Sequence, residues 1–233
     1  PWLRLKLAAS LDGRTALESG ESRWITGEAA RADVHAWRAE SAAILSTAAT
    51  VLADDPELTA RPSDGSSLRA GSEGIGSVVG AAGLAPRPPL RVLLDARLRI
   101  PASARVFAAE GEVVRLAAEG ARGDSATPAP GRIVPLGADA AGRLSLPEAL
   151  AWMGREGINE AWVEAGPTLA GALLEAALVD ELVVYLAPRL LGPDARPLAR
   201  LPPLARLGDA AAWQVQDLRQ IGSDVRIMLR PGG

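Results

Sequence analysis

The sequence has no cysteine. Disulfides, thiolate metal sites and cysteine nucleophiles are therefore excluded. Histidine is nearly as scarce: His35 is the only one. That leaves no material for a multi-histidine metal site and argues against a Ser-His-Asp triad, so no bound metal is expected. No uninterrupted apolar run approaches the length that spans a bilayer. No signal-peptide pattern opens the chain, so a cytoplasmic protein without membrane contact is expected. The net charge of -3 argues against nucleic acid as a partner, though local arginines can still bind a small phosphorylated ligand. Lysine is almost missing. Of 25 basic residues only Lys6 is a lysine, a compact charge or proton donor that a planar guanidinium would not replace.

What is present suits a folded domain. The chain has 233 residues, of which 48% are hydrophobic, enough for one α/β domain over residues 1–233. It opens on Pro1 and enters a strand almost at once, which reads as a piece of a longer polypeptide.

Residues 3–9 alternate, with Leu3, Leu5 and Leu7 on one face and Arg4, Lys6 and Ala8 on the other. Asp12-Gly13 makes a turn. Thr26 is the expected N-cap of a helix reaching about Ala39, with Val34 and Trp37 inward and Arg31 and Arg38 on one face. A short strand follows at 42–45, then a helical turn at 47–53 closed by Asp54-Asp55-Pro56. Residues 62–89 and 117–131 are expected to be mobile Gly/Ser/Pro-rich loops. Further strands are predicted at 90–95, 112–116, 132–136, 160–164 and 180–187, with helices at 146–155 and 167–177. A C-terminal antiparallel hairpin joins 213–218 to 225–229. Strands alternating with helices imply a mostly parallel sheet covered on both faces.

Two constellations bear on chemistry. In Trp162-Val163-Glu164-Ala165-Gly166-Pro167-Thr168-Leu169-Ala170-Gly171, a buried strand ends in a carboxylate, and a glycine turn opens a helix with proline at its first position. Free N–H groups at such a helix start attract phosphate, and the two glycines would allow close backbone approach. The same residues also make an ordinary strand-to-helix turn. The second constellation is Ser22, Arg38 and Arg61 with Asp54-Asp55. Arginine forks and a hydroxyl suit a phosphate monoester, and Asp54 can bind a sugar hydroxyl or move a proton. Each of these residues alone is as well explained by a solvated helix face and an Asp-Pro turn. His35 reads as a partly buried or surface histidine. Trp37, Trp162 and Trp213 read as core, and Trp24 as a stacking residue.

The segments Leu5–Thr15, Gly20–Thr26, Thr50–Thr59, Glu164–Gly171, Val179–Leu182 and Ala187–Gly192, in this order, resemble the reductase domain of the bacterial riboflavin-pathway deaminase-reductases. The resemblance covers nearly the whole chain. It implies a dihydrofolate-reductase-like fold and NADPH-dependent reduction of 5-amino-6-(5-phosphoribosylamino)uracil to the ribitylamino compound. It implies cofactor contacts at Ala8, Trp24, Thr50, Asp54, Ala96 and the turn Gly166, Pro167, Thr168, Leu169, Ala170, Gly171 and Ala172. It implies substrate contacts at Ser22, Arg38, Leu58, Arg61 and Glu164. Lys6, Asp54 and Glu164 are then the candidate catalytic residues. The family often carries a hydroxyl residue where this chain has Ala96, near the 2′-phosphate of the cofactor. Arg97 can take over that phosphate. Relatives also carry a zinc deaminase whose paired-cysteine motif is absent here, and they commonly form homodimers. The alternatives are a reductase of the 2,5-diamino-pyrimidinone, or a non-catalytic nucleotide-binding partner of a deaminase.

Overall fold

The computed structural model describes residues 1–60, 87–123 and 129–232. Arg61 and most of the 62–89 stretch lie outside them, as does the middle of 117–131. The elements run in chain order as β1 (Trp2–Ser10), β2 (Arg14–Ala16), α1 (Glu28–Glu40), β3 (Ala43–Thr47), α2 (Ala48–Asp54) and β4 (Leu90–Leu94). Next come α3 (Arg105–Ala108), β5 (Val113–Ala118), β6 (Arg132–Leu136), α4 (Leu146–Arg155), β7 (Glu160–Glu164), α5 (Pro167–Glu175) and β8 (Glu181–Ala187). The chain ends with β9 (Arg196–Pro197), β10 (Trp213–Ile221) and β11 (Asp224–Pro231).

A nine-stranded sheet has the order β10-β11-β8-β1-β7-β3-β4-β5-β6. The seven strands from β8 to β6 are parallel, and the β10-β11 hairpin adds antiparallel to β8. The expected architecture, a mostly parallel sheet closed by an antiparallel C-terminal hairpin, is the one observed. The chain fills the sheet from β3 outward to β6, then returns to insert β7 between β1 and β3. This places a topological switch at the middle of the sheet, where open α/β folds leave a crevice at the carboxyl ends of the strands.

The two faces carry separate cores. Leu3, Leu5 and Leu7 of β1 pack with Trp152 and Met153 of α4 and Leu169 and Leu173 of α5. Ile44, Trp162, Val183 and Tyr185 pack on the other face with Ala30 and Val34 of α1 and Val51 of α2. The alternation read in β1 is therefore a division between a fully buried face and a half-buried one that reaches the cleft. The polar face of β1 is half-buried rather than open to solvent: Arg4 ion-pairs with Glu160 and Glu181 and lies 4.6 Å from the ring of Trp37.

Several local expectations shift. The N-cap of α1 is Gly27 rather than Thr26, with no side-chain cap. Its N–H donates instead to Asp224 Oδ2 at 2.6 Å, a partner from the far end of the chain that satisfies one orphan donor. Helix α5 ends at Glu175, two residues early, because Ala177 turns left-handed at φ 50°. Strand β5 continues to Ala118, into the stretch read as a loop, because β6 pairs with it there. In β11, Arg226 is buried while Val225 and Ile227 are only half-buried, since its guanidinium reaches Asp33 of α1 at 2.8 Å and Asp217 of β10 at 3.2 Å.

Candidate active site

Parallel register sets the centre of the site. β1 and β7 place Lys6 beside Glu164. Both project from the α1 face at the carboxyl edge of the sheet. Two residues back on the same face of β7, Trp162 is fully buried and stacks on Trp37 with centroids 5.7 Å apart. Its indole N–H donates to Glu164 Oε1 at 2.7 Å. Arg38, from α1, completes the cluster. Its Nε donates to Oε1 at 2.5 Å and its Nη2 to Oε2 at 2.8 Å, while Nη1 donates to the Thr59 carbonyl at 3.0 Å. Ser46 of β3 fixes the backbone of the same residue, its hydroxyl donating to the Glu164 carbonyl at 2.7 Å.

These contacts decide charge states. Burial pushes Glu164 up, but the Arg38 guanidinium, its hydrogen bonds, Lys6 and the Trp162 indole together hold it down at about 2. Glu164 is therefore a fixed anion near neutral pH, an acceptor and not a proton source. Burial pulls Lys6 below the ordinary lysine value, and Arg38 adds to this, while Glu164 opposes it. The amine opens toward the cleft on one side and is walled by protein on the others. Its nitrogen lies 6.0 Å from the centroid of Tyr185. Burial and the Asp33 carboxylate hold the Tyr185 hydroxyl far above the usual phenol range, so it remains a donor to Asp33 at 2.5 Å.

A single cleft of about 1560 Å³ runs along this edge of the sheet. It brings together Lys6, Ala8, Ser22, Trp24, Arg38, Thr50, Asp54, Leu58, Ala96, Glu164, Gly166, Pro167, Thr168, Leu169 and Ala172, all read from the sequence as site residues. Two members of the α5 turn stay out of it. Ala170 is buried in the core. Gly171 packs so tightly against the 196–200 segment that an added Cβ would fall 1.9 Å from the Arg200 carbonyl oxygen. Gly171 is thus required for packing, and only Gly166, with open space where a side chain would stand, allows backbone approach from the cleft.

Supporting contacts shape the rim. Thr47 caps α2 by accepting from the Thr50 N–H at 3.1 Å, which presents Thr50 to the cleft. Asp95, fully buried at the end of β4, accepts from the N–H groups of Arg99 and Ile100 at 2.8 and 3.2 Å. It also pairs with Arg115 at 3.1 Å. This clamp turns the chain so that Ala96, Arg97 and Arg99 face the cleft. Trp24 is exposed and covered on one face by the Arg31 guanidinium, 4.5 Å from the ring. His35 lines the cleft too, with Nδ1 3.1 Å from the Thr59 carbonyl.

Sequence reasoning missed Trp162 as the partner of Glu164, although two-residue spacing on one strand puts them on one face. It also missed Arg99, Arg143, Arg196 and Arg200 as lining residues. Arg99, Arg143 and Arg200 lie in irregular segments and Arg196 in the two-residue β9, where no periodicity marks a facing side chain. Among the described residues, no group of three or more His, Asp or Glu is placed to hold a metal ion. No helix among them is long and apolar enough to cross a membrane.

A mostly parallel α/β sheet with a cation-rich cleft at its switch point defines the class of open α/β proteins that carry a ligand crevice at the carboxyl ends of their strands. Within that class the chain belongs to the RibD C-terminal domain family, whose model matches residues 1–227. It is 43% identical over 229 residues to the riboflavin biosynthesis protein RibD of Escherichia coli, covering 98% of this chain and 59% of that protein. It is 31% identical to the 5-amino-6-(5-phosphoribosylamino)uracil reductase of Buchnera aphidicola (subsp. Acyrthosiphon pisum), covering 92% of this chain and 99% of that protein. A solved structure of Acinetobacter baumannii RibD superposes with a TM-score of 0.78 at 32% identity, over 100% of this chain and 58% of that one. The chain thus spans about three-fifths of the length of the curated RibD proteins it matches.

Proposed function

We propose that this chain reduces 5-amino-6-(5-phosphoribosylamino)uracil to 5-amino-6-(5-phosphoribitylamino)uracil with NADPH, as a step of riboflavin biosynthesis. The observation that carries the reading is the continuous cleft, which joins the Lys6–Glu164–Arg38 cluster to the start of α5 and to the arginines after β4. The family membership and the name of the Buchnera relative support it.

The residues fit a dinucleotide. Gly166 leaves its backbone open at a helix start that has no side-chain cap, which suits a pyrophosphate. Arg97, resting on Gly142 across the rim, is the residue we assign to the 2′-phosphate in place of the hydroxyl that Ala96 lacks. When bound, the nicotinamide supplies the hydride. The chain supplies the rest. Reduction of C1′ in the opened ribose also requires a proton, and Lys6, an ammonium made more acidic by burial, is placed to deliver or orient it, with Asp54 as the second candidate. Glu164, an acceptor only, holds an N–H edge of the pyrimidine. Arg38 has three of its five N–H groups engaged, so two remain for substrate. We further propose that the working form is a cytoplasmic homodimer and that a deaminase domain is joined to it in the full protein.

Following NADPH absorbance with authentic substrate tests the activity. Turnover is expected with the deaminated pyrimidine in preference to its 2,5-diamino precursor. The reverse preference would assign the earlier reductase step, and no oxidation would leave a binding module. Lys6→Ala is expected to lower kcat by about 100-fold or more. If Lys6→Ala and Asp54→Ala both kept near-normal turnover, neither would move the proton.

A further inference from the structure

Buried cations in this fold are matched by acceptors. Arg38 gives its fork to Glu164 and Thr59. Arg115 pairs with Asp95, and Arg226 with Asp33 and Asp217. Arg91, fully buried, donates to the carbonyls of Val106, Ala109, Glu110 and Gly111 at 2.8, 3.0, 3.0 and 2.6 Å. Lys6 differs. Among the described residues its Nζ makes no hydrogen bond and no direct ion pair, and the ring of Tyr185 lies 6.0 Å from it.

Register explains why. On the α1 face, β7 sets Glu164 to one side of Lys6 and β8 sets Val183 to the other. Both oxygens of Glu164 are already engaged by Arg38, and Val183 is apolar and fully buried. Ala8, next along the same face, adds only a methyl, and the amine meets the cleft. Three N–H donors are thus aimed at whatever the cleft contains.

A lysine in that setting is a nucleophile as well as an acid. It is desolvated and sits near a second cation, Arg38, and both conditions favour the neutral amine. A guanidinium, the basic group this chain otherwise uses, stays charged and lacks that reactivity. Glu164, a fixed anion, suits the product of attack on a carbonyl, because an iminium carries the same charge as the ammonium it replaces.

We propose that Lys6 is a carbonyl-capture site, condensing with small hydroxyaldehydes, the open-chain form of sugars. The lone pair of the neutral amine forms a C–N bond to the carbonyl carbon. The carbonyl oxygen takes up two protons, one from the amine nitrogen and one from solvent, and leaves as water. A protonated imine remains on Nζ beside Glu164, and hydrolysis returns the free amine. The inference deepens the reductase reading, on which it rests for the link to substrate: a hydroxyaldehyde is the opened ribose without its pyrimidine, and occupancy would exclude the pyrimidine from the site. The condensation itself does not depend on that reading.

Glycolaldehyde with cyanoborohydride at pH 7 tests this, the hydride converting the iminium to a stable secondary amine. Lys6 is the only lysine, so no other lysine side chain competes. Trypsin, which cuts after unmodified lysine, is expected to spare the labelled site, so that residues 5–14 appear in mass spectra as one peptide carrying the adduct. Labelling of Lys6 should be about tenfold or more faster in the folded chain than in the chain unfolded in guanidinium chloride, since each unit by which burial lowers the amine gives tenfold more of its neutral form. A label confined to residues 1–4, or reaction at Lys6 no faster in the folded chain than in the unfolded one, overturns the proposal. Excess substrate pyrimidine is expected to slow the labelling. Fast labelling of folded Lys6 that the pyrimidine does not slow supports the capture site and removes only the reductase reading at this amine.

Discussion

Glu164 shows how much of a residue's behaviour is set by its partners. A glutamate at a strand end is ordinary. One that accepts from Arg38 twice and from Trp162 once, beside Lys6, is held ionised at about 2, against 4.5 for a free glutamate. Because the folded value lies below the unfolded one, the cluster contributes stability that is present above pH 4.5 and is lost as pH falls toward 2. Glu164→Gln keeps the shape and removes the charge, leaving Arg38 and Lys6 without their anion. At neutral pH this variant should be less stable by on the order of 3 kcal/mol. Below pH 4.5 the unfolded carboxyl takes up a proton while the folded one stays ionised until about 2, so urea denaturation at pH 7 and near pH 3 should show the gap narrowing. A gap of constant size would mean that the charge is not what stabilises the cluster. The sequence made Glu164 and Lys6 candidates, because a carboxylate at a strand end and a solitary lysine are visible in one dimension. It could not show that Arg38, 126 positions away, spends most of its fork on Glu164.

At the scale of elements, long periodic segments were readable and contact-made ones were not. β6, α4 and β7 lie where the pattern put them, residue for residue. β2, β9 and α3 have two to four residues and no period of their own; they exist because neighbours supply their hydrogen bonds. Turns were read correctly as turns but not for their purpose. Gly171 is a glycine because of Arg200, and the bend after β4 is made by a buried aspartate. That bend carries a prediction. Asp95→Ala removes the acceptor for two N–H groups and leaves Arg115 buried without its anion. It should cost about 3–5 kcal/mol. Since the same carboxylate aims the 96–100 loop, the KM for NADPH should rise more than the KM for substrate. A variant destabilised as expected but with both KM values unchanged would mean that this loop does not touch the cofactor.

The whole molecule is organised by one insertion. Strand order is set by contacts the sequence does not display, yet the return of β7 between β1 and β3 is what brings Glu164 beside Lys6 and opens the sheet's edge there. Among the described residues, one continuous cleft then brings together most of those assigned to both ligands. Direct hydride transfer in such a cleft requires cofactor and substrate to be present together. Initial-rate plots at varied NADPH and substrate should therefore intersect; parallel lines would mean that one product leaves before the second ligand enters. The rim gives the same experiment a second axis. Arg97 is the cation we assign to the 2′-phosphate, and NADH lacks that group. NADPH should give the higher kcat/KM in the wild type, and Arg97→Ala should lower the NADPH value about tenfold or more while leaving the NADH value nearly unchanged. Equal losses with both cofactors would place Arg97 in general support of the rim. A preference for NADPH that survives the substitution would move the discrimination to Arg99 or Arg143, the other arginines that line this end of the cleft.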